Sequence, residues 1–313
     1  MQKKLRPQEE SEKQVMKKYL FYVAMTVVIV RPAFAKEHLT TPVKSNPFFA
    51  LCMDTHDSQK RTLEQQAQLL HELGYDGAGH LWLKNVPERL QTLNAVGLKL
   101  FHIYLAVNIA PNAKEAYDPN LLRIAPLLNG RDTALVLLIN GFSPSDPAGD
   151  TRAVDIVRRI SGLASDSDLK VVLYPHTNYW LERVEDGLRL AKKVDRPNVG
   201  VMFNLCHWLK VDQEKNLVPL LTSAMPYLSA ISIHGADRAA NIKSGTGNWI
   251  QPLDSGAYDL ASLLKTLSNL GYRGPVGLQC YGIGGDARDH LTRSMSAWKD
   301  MRSALICTEP GTR

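Results

Sequence analysis

Short apolar runs alternate with longer amphipathic segments along the chain from Asn46 onward. The runs are rich in aliphatic and β-branched residues, and most end beside a polar residue, which is typical of buried parallel strands. Eight runs of this kind are present: Phe48–Asp54, Asp76–Leu81, Lys99–Leu105, Leu135–Asn140, Val171–His176, Val199–Asn204, Ala230–Gly235 and Pro275–Cys280.

The segments between the runs have the spacing of amphipathic helices. Leu63–Leu73 carries apolar residues three or four positions apart and is followed by Gly74, a helix-ending signal. Tyr258–Leu270 and Trp180–Val194 repeat the pattern. Strand and helix alternating eight times predict an α/β fold, a single-domain (β/α)8 TIM barrel. An open doubly wound sheet is the alternative, but no GxGxxG sequence follows the first run and no Walker-type loop occurs.

The beginning of the chain has a different character. A basic stretch at residues 16–18 precedes the apolar run Tyr19–Val30 and an Ala-Phe-Ala sequence at 33–35, the order found in a secretory signal peptide. The apolar run is too short for a comfortable membrane span. We therefore expect translation to start at Met16 and the mature protein to be periplasmic or secreted, without stable membrane association; an uncleaved anchor is the alternative. The predicted organisation is residues 1–35 as upstream extension and signal peptide, 36–45 as linker, 46–304 as barrel and 305–313 as flexible tail.

The net charge of +6 depends strongly on this leader. Residues 1–35 hold seven of the 37 Lys and Arg and three of the 31 Asp and Glu, which leaves 30 basic against 28 acidic residues. The remaining chain is nearly neutral and has no basic block, so we expect no nucleic-acid partner.

Polar residues collect near the ends of the predicted strands, which is where TIM barrels carry their active sites. Six of the nine histidines lie within, at or just beyond a strand end: His56, His80, His102, His176, His207 and His234. A lone histidine is more often structural, but six at one face of a barrel favour a functional site. Other polar and aromatic candidates at strand ends are Asp54, Tyr104, Asn140, Tyr174, Asn204, Asp237, Gln279 and Tyr281. Such groups suit a ligand rich in hydroxyls.

One connection is too long for a simple turn. Residues 236–257 follow the seventh run and include Trp249. A connection of this length in a compact domain is typical of a lid or a binding loop, and Trp249 offers a flat apolar face for a sugar ring. A disordered insertion is the alternative.

Four sequences make a family resemblance visible: FNLCH at 203–207, SIHGAD at 232–237, GYRGPVGLQCYG at 271–282, and the Tyr-Pro-His end of the fifth run. Over residues 46–302 the chain resembles the xylose-isomerase-like TIM barrels, the sugar phosphate isomerase/epimerase superfamily. The resemblance implies a divalent metal held by a Glu on the fifth strand, an Asp on the sixth, a His on the seventh and a Glu on the eighth.

The match to that metal set is uneven. His234 and Asp237 fit the His-x-x-Asp pattern of the seventh strand, and His207 fits the histidine of the sixth. Tyr174 and Gln279 stand at the two Glu positions. The Asp position of the sixth strand is occupied by Asn204, and His176 follows Tyr174 by two residues. The resemblance thus implies His176, Asn204, His234 and Gln279 as ligands, a neutral set that favours Zn²⁺ over Mn²⁺ or Mg²⁺.

Three functions stay open from the sequence. The first is an isomerase or epimerase that moves a proton next to the carbonyl of an unphosphorylated sugar or keto-sugar, with or without a metal. The second is a lyase or hydratase on a keto-sugar derivative, and the third is a non-catalytic carbohydrate-binding barrel. The catalytic candidates are Tyr174, His176, His207 and Asp237. The substrate-binding candidates are Asp54, His80, His102, Tyr104, Asn140, Trp249 and Tyr281. The partner is a small sugar, and the oligomeric state is unknown.

Overall fold

The computed structural model describes residues 46–307. The predicted signal peptide and linker lie outside the described residues, as do residues 308–313 of the predicted tail. The last helix runs to Cys307, so residues 305–307 are helical rather than part of a tail. None of the helices in the described range is both long enough and apolar enough to cross a bilayer.

Eight parallel strands close into a barrel in chain order, with the eighth strand paired to the first. The strands are β1 (Phe48–Leu51), β2 (Gly77–Leu81), β3 (Lys99–Asn108), β4 (Ala134–Asn140), β5 (Lys170–Leu173), β6 (Val199–Asn204), β7 (Leu228–Ile233) and β8 (Val276–Gln279). The predicted (β/α)8 TIM barrel is therefore confirmed.

Helices connect the strands and cover the barrel. They are α1 (Leu63–Leu73), α2 (Val86–Ala95), α3 (Leu121–Ile124), α4 (Asp150–Ser165), α5 (Val184–Val194), α6 (Leu205–Val211), α7 (Leu217–Ala224), α8 (Ala239–Lys243), α9 (Leu260–Asn269) and α10 (Ala287–Cys307). Short 3-10 helices occur at Ala125–Leu128, Pro147–Gly149, Glu214–Asn216 and Met225–Tyr227. Helix α1 matches its predicted bounds because Thr62 forms a capping box at its start and Gly74 ends it at φ 82°.

The apolar residues form two layers. One cluster lies between the strands and the surrounding helices, and a second fills the barrel interior. Alternation along each strand sends neighbouring side chains to opposite layers. The interior cluster contains Phe49, Leu51, Phe101, Tyr104, Ala134, Val136, Leu138, Val172, Tyr174, Met202 and Ala230. Tyr174 thus belongs to the layer that faces the barrel axis.

The fifth strand ends earlier than the sequence predicts. Its ladder stops at Leu173, and Tyr174, Pro175 and His176 follow as a loop. Pro175 has no amide hydrogen and cannot continue a parallel ladder. The amide of His176 donates instead to the carbonyl of Leu181 at 2.8 Å, which holds the imidazole just above the barrel.

Candidate active site

The ends of β5, β6 and β7 bring a group of hydrogen-bonded polar side chains together. Asn204, the last residue of β6, is buried and donates from Nδ2 to the Tyr174 hydroxyl at 2.9 Å and to Ser232 Oγ at 2.6 Å. Its Oδ1 accepts the backbone N–H of His207 at 3.1 Å, so Asn204 also caps helix α6. Because this cap holds Oδ1, the Nδ2 end of the Asn204 amide points toward Tyr174.

The neighbours of His207 identify its tautomer. Its Nδ1 accepts the backbone N–H of Thr177 at 3.3 Å. A neutral imidazole with an acceptor at Nδ1 carries its hydrogen on Nε2. His207 Nε2 therefore donates to the Tyr174 hydroxyl, 3.1 Å away. Burial lowers the pKa of His207 well below its ordinary value, so the ring is neutral near pH 7.

Gln279, at the end of β8, also lies beside the Tyr174 side chain. Gln279 ends β8, and its Oε1 accepts the backbone N–H of Tyr281 at 3.1 Å, which leaves the amide nitrogen for the Tyr174 side chain. Burial raises the pKa of Tyr174 well above its ordinary value, although the Gln279 hydrogen bond opposes this effect. The phenol is therefore protonated, and its oxygen accepts N–H donors from Asn204 and His207, with the Gln279 amide nearby.

His176 has the opposite tautomer from His207. Its Nδ1 lies 2.9 Å from the carbonyl oxygen of Thr177 and must donate to it, which leaves a lone pair on Nε2. The ring is partly exposed and lies 3.9 Å from the His207 ring and 4.2 Å from the Tyr179 ring, between centroids. Burial lowers the pKa of His176, and the charge of Lys210 lowers it further. His176 is thus a neutral base at the barrel mouth.

His234 is a second hydrogen-bond acceptor and is more deeply buried than His176. Its Nδ1 donates to the carbonyl oxygen of Gly235 at 2.9 Å. The side chain has no exposed surface, and Nε2 is buried without a hydrogen-bond partner. Burial lowers the pKa of His234 to about 4. A buried lone pair without a donor is costly, so a ligand hydroxyl that donates to Nε2 would be bound favourably.

Two of the four side chains predicted to hold a metal, Asn204 and Gln279, do not offer their oxygens to a cation. The oxygens of Asn204 and Gln279 accept backbone N–H groups, and both amides turn their nitrogens toward Tyr174. N–H groups repel a cation, and Mg²⁺ or Mn²⁺ requires oxygen ligands. Within residues 46–307, no group of three His, Cys, Asp or Glu is arranged to hold a metal. We therefore interpret the set of His176, Asn204, His234 and Gln279 as a hydrogen-bonding site in this structure, and its metal binding stays a prediction.

Asp237 has a different role from the acid or base that the sequence suggested. Its Oδ2 accepts the backbone N–H of Asn248 and the side-chain N–H of Gln251, both at 2.9 Å. Gly235 and Gln251 form an antiparallel bridge in the same region. These contacts hold the long loop 236–257, which contains α8, against the end of β7. Asp237 is therefore an anchor of the loop.

The predicted substrate-binding residues divide into two groups. His102 and Tyr104 are buried in the barrel interior, and His80 uses both ring nitrogens in contacts with Lys84 and Arg89. The remaining four lie at the mouth with exposed or partly exposed side chains: Asp54, Asn140, Trp249 and Tyr281. The first group supports the site from below or beside it, whereas the second is accessible to a ligand.

Sequence reasoning missed Lys210. Its ammonium lies 5.5 Å from the centroid of the Trp249 ring and lowers the pKa of His176, His207 and His234, after the larger effect of burial on each. The signal was its spacing, because a residue three positions after His207 lies on nearly the same side of helix α6.

Solved structures with this architecture include sugar-converting enzymes. A probable 3-DHS dehydratase from Bacillus anthracis has a TM-score of 0.64 and 18% identity, covering 80% of this chain and 98% of its own. The D-psicose 3-epimerase of Clostridium cellulolyticum H10 has a TM-score of 0.62 and 16% identity, covering 83% and 99%. A xylose isomerase-like TIM barrel protein from Mycobacterium smegmatis, solved with magnesium, has a TM-score of 0.62 and 18% identity, covering 83% and 98%.

Identities this low establish the common fold and do not identify a reaction. No curated protein matches the chain by sequence. The sequence profile of the xylose isomerase-like TIM barrel family matches residues 67–301, three quarters of the chain. That range contains every strand except β1 and all the polar groups that surround Tyr174. The chain therefore belongs to the xylose isomerase-like TIM barrel family.

Proposed function

We propose that this protein is an isomerase-like enzyme that transfers a proton next to the carbonyl of an unphosphorylated sugar or keto-sugar. The observation that carries the proposal is the pair formed by His176, a neutral base with a free Nε2, and the Tyr174 hydroxyl beside it. Their ring centroids are 5.8 Å apart. The similarity of the fold to sugar epimerases and a dehydratase supports the same class of chemistry.

The residues divide the work of such a step. His176 Nε2 takes the proton from the carbon beside the carbonyl, and the imidazolium returns it to the neighbouring carbon or to solvent. The Tyr174 oxygen already accepts hydrogen bonds from Asn204 and His207, which makes its own O–H a stronger donor toward the oxygen of the enediolate.

The proposal requires no metal for these steps. A divalent ion is part of the magnesium complex of the Mycobacterium smegmatis relative. In this chain the amide nitrogens of Asn204 and Gln279 converge on the Tyr174 oxygen. We therefore propose that hydrogen bonding replaces the metal.

Elimination on a keto-sugar, a lyase or dehydratase reaction, is the second candidate. Gln279 cannot carry a proton at the end of β8, which argues against a two-base epimerase and leaves elimination open beside isomerisation. An epimerase of the two-base kind needs a proton carrier on each face of the carbon, whereas isomerisation and elimination each work with one base. Deuterium incorporated into recovered sugar identifies isomerisation, and loss of water or an alcohol identifies elimination.

The test is proton exchange in D₂O with a panel of free keto- and aldo-sugars, followed by NMR. His176→Gln should lower the exchange rate about 100-fold or more, and Tyr174→Phe should lower it to a similar extent. His71→Gln, at an exposed position of helix α1 away from the mouth, is the matched control and should retain the wild-type rate.

The pH profile provides an independent check of the base. The rate should be full at neutral pH and fall only below pH 6.5, because burial lowers the pKa of His176 and the base is lost when it is protonated. Sugar binding without exchange in the wild type, or exchange unchanged in His176→Gln, would contradict the proposal. The expected export of the mature protein stays a prediction, which N-terminal sequencing of the protein from its natural source would check.

A further inference from the structure

The half of the barrel mouth formed by β5 to β7 carries one ammonium group without an acidic partner. In the described part of the chain, no carboxylate is paired with Lys210. Its side chain interacts with the sulfur of Cys206, one helical turn earlier, and with the ring face of Trp249. Lys210 is partly buried, so its charge is less screened by water than that of a surface lysine.

The acidic residues nearest to Lys210 along the chain are Asp212 and Glu214, and neither forms an ion pair with it. Asp212 forms an ion pair with Arg183 at 3.2 Å. Asp237 accepts two hydrogen bonds within its own loop. Lys210 therefore lies near three neutral histidines and an aromatic ring rather than a carboxylate.

An enzyme that needed only neutral hydroxyl contacts would gain nothing from an unpaired ammonium at this position. Keeping Lys210 partly desolvated has a free-energy cost, which a bound anion offsets. The Trp249 face beside it suits the apolar face of a sugar ring. A single ammonium matches a carboxylate, whereas phosphate sites usually combine several backbone N–H groups or an arginine.

We propose that Lys210 and Trp249 form an anion subsite, and that the substrate is a sugar acid whose carboxylate pairs with Lys210. This inference rests on the proposed function, since it names the substrate class of the same site. Trp249, beside the ammonium, then covers the ring of the acid. The long loop that carries Trp249 joins β7 to α9 and brings this ring to helix α6.

The experiment is calorimetric binding of matched pairs that differ only at one carbon: D-glucuronate against D-glucose, and D-galacturonate against D-galactose. The wild type should bind at least one acid about 10- to 100-fold more tightly than its neutral partner, and the preference should shrink in 0.5 M salt. Lys210→Gln should remove the preference for the acid over its neutral partner. Lys210→Arg should restore it in part.

Lys265→Gln is the matched control, because Lys265 is exposed on helix α9, and it should keep the wild-type preference. Equal affinities for acid and neutral sugar, or an acid preference that survives Lys210→Gln, would overturn the anion subsite. Tighter binding of glucose 6-phosphate than of glucuronate would overturn the choice of carboxylate.

The failure of this inference is distinguishable from failure of the proposed function. Proton exchange on neutral sugars with no acid preference would leave the enzyme proposal intact and remove the subsite. An acid preference that depends on Lys210, without exchange on any bound acid, would support the subsite and contradict the enzyme.

Discussion

Single residues decide the chemistry of this barrel mouth through the orientation of their hydrogen bonds. The rings of His176 and His207 are close neighbours, with centroids 3.9 Å apart, yet opposite ring nitrogens carry the hydrogen. The carbonyl oxygen of Thr177 takes the Nδ1 hydrogen of His176, while the amide of Thr177 occupies Nδ1 of His207. The two backbone groups of Thr177 thus make His176 a base toward the ligand and His207 a hydrogen-bond donor toward Tyr174.

The buried histidines should also make stability depend on pH. Burial in the barrel interior lowers the pKa of His102 to about 3, whereas the unfolded chain titrates near 6.5. Because the folded-state pKa is lowered, the stability is fully present above pH 6.5 and is lost as pH falls toward 3. The contribution of His102 between pH 7.5 and 4.5 is about 2–3 kcal/mol.

His102→Phe should therefore reduce the difference in unfolding free energy between pH 7.5 and 4.5, measured by urea denaturation at both values. His71→Phe, at an exposed position of α1, is the control and should leave the difference unchanged. An equal pH dependence in His102→Phe and the wild type would contradict this assignment.

At the scale of elements, the helices are held against the barrel by close contacts at small residues. Gly187 lies in α5, and a Cβ added there would be 2.8 Å from Val201 Cγ1 on β6. Gly162 lies in α4, and a Cβ there would meet nothing within 4 Å. The two glycines have the same residue type in the same kind of element, but only the first is needed for packing.

Alanine substitutions at these two positions should have opposite effects. Gly187→Ala should lower the unfolding free energy by about 1–3 kcal/mol, because the added methyl forces α5 away from Val201. Gly162→Ala should raise it by about 0.5–1 kcal/mol, because alanine is the better helix former. Thermal unfolding of both variants measures these changes in unfolding free energy. A Gly187→Ala variant more stable than the wild type would contradict the predicted clash with Val201.

At the scale of the whole molecule, barrel closure brings residues from distant parts of the sequence onto one phenol oxygen. Tyr174 lies 30 residues before Asn204 and more than 100 before Gln279, yet both amides reach it. The closed ladder from β1 to β8 places these strand ends around one axis. The site therefore forms only in the intact barrel.

The wild type should bind Mn²⁺ no more tightly than about 1 mM at this site, because it offers amide nitrogens where a cation needs oxygen ligands. Asn204→Asp with Gln279→Glu should create a Mn²⁺ site measurable by calorimetry. The control variant Asn129→Asp with Gln213→Glu adds the same charges at exposed positions and should create no Mn²⁺ site. Micromolar Mn²⁺ binding by the wild type that is lost in Asn204→Ala would contradict the metal-free assignment.

The amino-acid sequence by itself determined the eight strands, most of the helices and the identity of the polar residues at the strand ends. These features follow from periodicity, capping residues and residue type, which are local properties of the chain. The observed strand ends differ from the predicted ones by a few residues where a proline or an outer turn intervenes, as at Pro175.

Only the tertiary structure decided what those polar residues do. Asp237 and His80 matched a site pattern but are used to hold loops, and Lys210 matched none but reaches the mouth. Asn204 and Gln279 were metal candidates until backbone amides in the folded chain determined which end of each side chain faces inward. The physical reason is that the direction of a hydrogen bond depends on partners that sequence spacing does not specify.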